Sequence, residues 1–222
     1  MRHIEEPGTT VTTLANGVRV VVLAMPGIGS ASVSVFVRTG SAHEAVRLNG
    51  ISHVVEHMAF KGTRTRDCQR INLDAERPGA EVNAHTDTAP TAYPMRGLAA
   101  HAPRFIRMLG DIVRESTFPE EELERERRVI LHEVADDEDD PLTIAFQLFD
   151  RASFGTHPAG QPVIGRRANI ERFTRDDLLG YVQRQYSGAN MVVGVAGDVD
   201  AAAVLAATEA AFGGLPAGAE NA

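Results

Sequence analysis

The sequence has no tryptophan, a single cysteine and a shortage of basic residues, and each scarcity closes off a possibility. With only 9 Phe and 3 Tyr beside the missing Trp, the core must be filled mainly by Val, Leu, Ile, Ala and Phe. A lone thiol, Cys68, cannot close an internal disulfide, so nothing here requires an oxidising compartment. Its neighbours Asp67 and Gln69 give it no activating surroundings, and it reads as a structural thiol. Lys and Arg number 22 against 30 Asp and Glu, a net charge of −8. That balance disfavours nucleic acid and anionic membranes as partners, since both need a basic face. No apolar run approaches the roughly 18 residues of a membrane span, and the first residues carry no apolar signal-type core. The expectation is a soluble, cytoplasmic protein.

What is present suits one substantial core: 222 residues, 43% hydrophobic and 23% charged. Residues 1–222 read as one domain, with 216–222 as a flexible tail. Val11–Leu14 and Val18–Leu23 flank Asn16–Gly17 and predict a hairpin. Ala31–Val37 alternates small polar and apolar residues, as a half-buried strand does. Glu81–Met95 reads as one or two extended segments and Met191–Ala196 as a buried strand. Pro90 lacks an amide donor and is expected to shorten the ladder there. Helices are predicted over Ile51–Phe60, Asp67–Ala75, Ala99–Glu115, Glu120–Val134, Leu142–Ser153, Thr174–Gln185 and Ala201–Phe212. The fourth of these has Ser116 and Thr117 as capping candidates and Pro119 to suit its first turn. Hairpin signals beside helical ones indicate an α+β fold. The expected architecture is a two-layer sandwich, a mixed and mostly antiparallel sheet with helices packed on one face.

The chemistry is concentrated on the helix from Ile51. Ile51, Val54, Val55 and Met58 form an apolar face, and His53, Glu56, His57 and Phe60 form another. Imidazoles four residues apart stand one turn apart and can chelate one ion, with Glu56 beside them to hold a water. This is the inverted zinc motif H-x-x-E-H. Five residues alone also fit a solvated face of a surface helix. A zinc site needs a third protein ligand and one open position. In Glu120–Val134, Leu123, Ile130 and Val134 point inward, while Glu126 and Glu133 lie on or beside the same stripe. Carboxylates placed there cost desolvation unless paired or bound to a metal. The pattern equally fits a salt-bridged surface, because Glu122, Glu124, Arg125, Arg127 and Arg128 crowd the segment. His85, His132 and His157 read as surface or loop residues, and Asp136–Asp140 as a solvated acidic turn without the spacing of a calcium loop.

The segment Gly50–Thr63 (GISHVVEHMAFKGT) resembles the active-site helix of the pitrilysin/insulinase-like zinc metallopeptidases, especially the mitochondrial-processing-peptidase branch. Val82–Tyr93, Glu124–Val134, His157–Gly165 and Tyr186–Asp200 resemble later landmarks of that family, in the right order, with Glu133 following His57 by 76 positions. The resemblance implies a zinc endopeptidase. It makes His53, His57 and Glu133 the Zn2+ ligands, Glu56 the general base and Glu126 the acid that orients the metal site. Asn83 and Ala84 become edge-strand residues that hold substrate backbone. It covers the N-terminal, metal-binding half of such enzymes. It therefore also implies, besides a peptide or unfolded-protein substrate, a C-terminal half, a homologous partner subunit or a homo-oligomer. Two other readings stay beside it: a non-catalytic or incomplete partner subunit, and a binding domain merely stabilised by zinc.

Overall fold

A computed structural model describes residues 8–221; residues 1–7, whose lack of an apolar core was noted above, and residue 222 lie outside the described part. Strands β1 (Thr9–Thr13) and β2 (Arg19–Ala24) form the N-terminal hairpin, with Val11 opposite Val21. Gly17 supplies a φ of 96° in the turn. Asn16 reaches further, its Nδ2 donating to the carbonyls of Phe212, Gly213 and Leu215 at 2.9, 3.3 and 3.1 Å. The hairpin is thereby fixed to the end of the last helix.

Strand β3 (Ser30–Val37) precedes helices α1 (Ile51–Met58) and α2 (Cys68–Glu76). Then come β4 (Glu81–Val82), β5 (His85–Thr86) and β6 (Thr91–Leu98), followed by α3 (Ala102–Glu115), α4 (Glu120–Asp139) and α5 (Pro141–Phe154). The short α6 (Arg167–Ile170), then α7 (Arg175–Gln185), β7 (Met191–Gly197) and α8 (Ala201–Phe212) complete the order. The sheet runs β1-β2-β7-β3-β6-β4, with β5 also on β6. Among the described residues only β2 and β7 pair in parallel; the other ladders are antiparallel.

Strand alternation sorts the side chains. Val20, Val22, Val33, Val35, Val37, Tyr93, Met95, Val193 and Val195 are buried under the helices. Phe105, Ile106, Leu109 and Ile112 of α3 and Phe212 of α8 are buried opposite them. Residues of the other sheet face, such as Ser32, Ser34, Phe36 and Arg96, stay partly or fully exposed. The α+β sandwich with a mixed, mostly antiparallel sheet is what the sequence pattern implies. No described helix is long and apolar enough to cross a membrane.

Several boundaries differ from expectation for identifiable reasons. Helix α4 continues through the acidic run to Asp139, and Asp140 then caps α5 through Leu142 N–H and Thr143 N–H at 3.2 and 3.1 Å. No glycine stands there to stop the helix, and Arg167 pairs with Glu138 at 2.9 Å. Pro119 itself occupies the N-cap of α4. Ser116 and Thr117 do not cap it, because their hydroxyls donate to the carbonyls of Ala59, Ile112 and Gly62. Pro90 lies in the β5–β6 turn, its carbonyl accepting from Asp87 N–H at 2.9 Å. The residue that interrupts the edge strand is Pro94: it accepts from Asn83 N–H at 3.0 Å but has no amide to return. The edge is therefore divided into β4 and β5. Residues 216–221 turn back along the sheet end, with Gly188 N–H and Ala189 N–H donating to the carbonyls of Pro216 and Ala217, each at 2.9 Å.

Candidate metal centre

Helix α1 packs across α4 and against β5 at the edge of the sheet. Ile51, Val54, Val55 and Met58 enter the core, which turns His53, Glu56 and His57 toward α4 and the edge strand. Burial of Leu123, Ile130 and Val134 orients α4 so that Glu126 and Glu133 face α1. His53 Nε2 and His57 Nε2 stand 3.1 Å apart. Glu133 Oε2 is 3.6 Å from the first and 3.5 Å from the second. Among the described residues this trio is the one group of three or more His, Cys, Asp or Glu side chains placed to hold a metal.

The spacing fits a small tetrahedral cation. Two ligands about 2.0–2.1 Å from zinc stand about 3.3–3.4 Å from each other. The hydrogen bonding agrees. Glu126 Oε2 lies 3.1 Å from His57 Nδ1, which makes Nδ1 the protonated nitrogen and leaves the Nε2 lone pair aimed at His53. The His57 Nε2 lone pair, His53 Nε2 and Glu133 Oε2 thus converge on one point, where a cation can take all three as ligands. Burial, then repulsion from His57, pulls the His53 pKa down to about 4, so this imidazole is neutral near pH 7. Burial raises the Glu133 pKa, against the attraction of His57 and with added repulsion from Glu56, Glu126 and Asp137. A divalent ion would hold both residues in their ligating forms.

Glu126 completes a relay. Burial opposes its charge, but hydrogen bonds from Lys61 and His57 outweigh burial and hold its pKa below the usual glutamate range. Lys61 Nζ is 2.6 Å from Glu126 Oε1. Lys61 was not singled out from sequence, although it follows His57 by four positions. Ile164 was also missed: the buried Nδ1 of His53 has no well-aligned partner, and the Ile164 carbonyl acts on the ring from the facing loop.

Asn83 and Ala84 lie on the open edge beside α1, between β4 and β5. Because Asn83 N–H points inward to β6, antiparallel alternation turns the amide and carbonyl of Ala84 outward. The Asn83 side-chain oxygen accepts from that Ala84 N–H at 2.9 Å. His85 is exposed, as is His132, and His157 Nδ1 accepts from Ala159 N–H at 3.2 Å; none joins the metal trio.

The family model described as Insulinase (Peptidase family M16) matches residues 19–167. The chain belongs to the M16 peptidase family. A second model, described as the Peptidase M16 inactive domain, matches residues 172–222 of this M16 chain. The two matches meet in one sheet, since β7 from the second lies between β2 and β3 from the first. An uncharacterized zinc protease of Bacillus subtilis is 37% identical over 187 residues, 84% of this chain and 46% of that protein. The mitochondrial-processing peptidase subunit beta of Saccharomyces cerevisiae is 34% identical over 210 residues, 95% of this chain and 46% of its own length. A protease of Helicobacter pylori superposes with a TM-score of 0.90 at 26% identity, covering 97% of this chain and 52% of that one. The chain thus spans about half the length of the curated relatives it matches.

Proposed function

We propose that this M16 chain is the metal-binding half of a zinc endopeptidase, with His53, His57 and Glu133 as the zinc ligands and Glu56 as the general base. The observation that carries this reading is the convergence of two ring nitrogens and one carboxylate oxygen from two crossing helices. When bound, zinc supplies the Lewis acidity that polarises a peptide carbonyl and brings the pKa of a water toward neutrality.

The chain's own residues do the rest. Glu56 takes the proton of the attacking water on its carboxylate and passes it to the departing amine. Glu126 fixes the His57 tautomer, and Lys61 keeps Glu126 charged. An extended peptide adds as a strand along 82–86, with the outward amide and carbonyl of Ala84 as its central contacts. Backbone recognition of this kind makes sequence preference loose.

The coverage of the relatives favours one further element. Activity requires a second homologous half, supplied by the same polypeptide or by a partner subunit, and the isolated 222 residues hydrolyse peptides weakly. The test is zinc content of the purified chain and of His53→Ala, together with hydrolysis of a quenched peptide with and without a partner half. One zinc per wild-type chain and none for the variant is expected. A wild-type chain that takes up no zinc would overturn the assignment.

A further inference from the structure

The Glu44 carboxylate is among the most buried charged groups in the chain, at 3% exposure, and the chemistry above does not use it. It precedes α1 in a separate segment, yet both its oxygens are spent on the start of that helix. Oε2 accepts from Gly50 N–H at 2.7 Å and from Asn49 Nδ2 at 3.1 Å, and Oε1 accepts from Ser52 N–H at 2.8 Å.

The helix needs outside help. It has eight residues, too few to persist alone, and its first amides lack intrahelical acceptors. Gly50 occupies the N-cap at a φ of 100° and has no side chain with which to cap. The Ser52 hydroxyl is engaged elsewhere, 2.7 Å from Tyr181 Oη. A negative carboxylate at this end also complements the helix dipole.

We propose that Glu44 is a positioning residue for the metal centre: by capping α1 from outside, it fixes the backbone immediately before His53 and so sets where that imidazole points. This rests on the zinc reading above. His53 stands in the first turn, directly after Ser52, whereas His57 lies in the last turn and Glu133 on another helix. Loosening the first turn therefore displaces one ligand of the three.

The surroundings are braced to the same end. Gln161 Nε2 donates to the Glu44 carbonyl at 2.8 Å, and Asn49 Nδ2 donates to the Pro162 carbonyl at 2.9 Å. Gly50 and Gly165 touch backbone to backbone, and a Cβ on Gly165 would fall 2.3 Å from Gly50 Cα. The loop that carries Ile164 against the His53 ring is thus clamped to the residues that Glu44 caps.

The requirement is for acceptors at both oxygens. In Glu44→Gln the amide NH2 must face either the Gly50 side or Ser52 N–H, setting donor against donor at unchanged volume. Glu44→Ala leaves both amides unmet. The experiment measures zinc affinity of the folded full chain by competition with a chromophoric chelator, well below the unfolding temperature, and the visible absorption of the cobalt-loaded protein. Asp200→Ala serves as the control: it removes a cap from α8, a helix that packs on α3 and β2 and contributes nothing to the metal trio, where Asp200 accepts from Ala202 N–H at 2.7 Å.

Glu44→Gln is expected to bind zinc about 10-fold or more weakly, within the range seen for groups that orient metal ligands, and to change the cobalt bands. Asp200→Ala should lose thermal stability and keep both readouts. If Glu44→Ala does not fold, Glu44→Gln carries the test. Variants that bind zinc as tightly as wild type with unaltered cobalt bands overturn the positioning role, however much stability they lose. A wild-type chain without zinc affinity overturns the metal reading instead, and the two failures are distinct.

Discussion

Lys61 Nζ sits 2.6 Å from Glu126 Oε1, and through Glu126 its charge reaches the ring of His57. Glu126→Gln should weaken zinc binding about 10–100-fold, because the Nδ1–H of His57 then loses a charged acceptor. Lys61→Met should weaken it less, since Glu126 keeps its bond to His57. Chelator competition on both variants checks the order, and a reversed order would break the relay.

Glu56 lies on α1 next to His57 and its charge acts on Glu133, but it does not belong to the metal trio. Glu56→Gln should retain zinc at wild-type stoichiometry and lower peptide turnover, measured with the partner half present, by about 10²-fold or more. Undiminished turnover in the zinc-loaded variant would remove Glu56 from its assigned role.

The open edge makes a separate prediction. Ala84→Pro deletes the outward amide and should raise KM for extended peptides several-fold while zinc content is unchanged. Asn83 is the nearest comparison: Asn83→Ala removes only the side-chain oxygen that now meets Ala84 N–H, and should have a smaller effect. Equal KM values for wild type and Ala84→Pro would exclude strand addition at this edge.

Gly50 and Gly27 separate backbone strain from collision. Both have positive φ, 100° and 89°, but a Cβ on Gly50 would lie 2.8 Å from Gly165 Cα, whereas one on Gly27 meets nothing within 4 Å. Gly27→Ala should cost about 1–2 kcal/mol, the usual penalty of a left-handed conformation. Gly50→Ala should cost more, because backbone must also move. Urea unfolding of the zinc-free proteins measures both.

Acid stability depends in part on Asp74, a buried carboxylate 3.0 Å from Arg66 Nε and 3.1 Å from Arg70 Nε. The hydrogen bond from Arg66, opposed by burial and aided by Arg70, holds its pKa below the ordinary value of 3.8. As pH falls, the unfolded chain takes up the proton first. The stabilisation is therefore whole above the unfolded pKa and is lost as pH drops through the lower folded one. Asp74→Asn should be clearly less stable than wild type at about pH 7, with the gap narrowing as pH falls below about 4. A gap that stays constant across that range would contradict the assignment.

Much of this site was legible residue by residue. The split of α1 into a core face and a His53–Glu56–His57 face follows from 3.6-residue periodicity, and the structure buries the predicted four apolar residues. The inward stripe of α4 was equally plain, but its end was not. Asp136–Asp139 stays helical rather than forming a solvated turn, because the chain breaks only where Asp140 caps the next helix. Pro94 was hidden for another reason: a proline interrupts a ladder only at the position opposite it, and that register is a property of two strands.

By itself the sequence determined which side chains can bind a cation and which faces must be buried, since periodicity and side-chain chemistry are local. Only the tertiary structure decided that β7 fills the space between β2 and β3, that Lys61 neutralises Glu126, and that Glu44 caps α1. These pairings depend on where burial of the apolar faces brings distant segments, and no spacing along the chain records that.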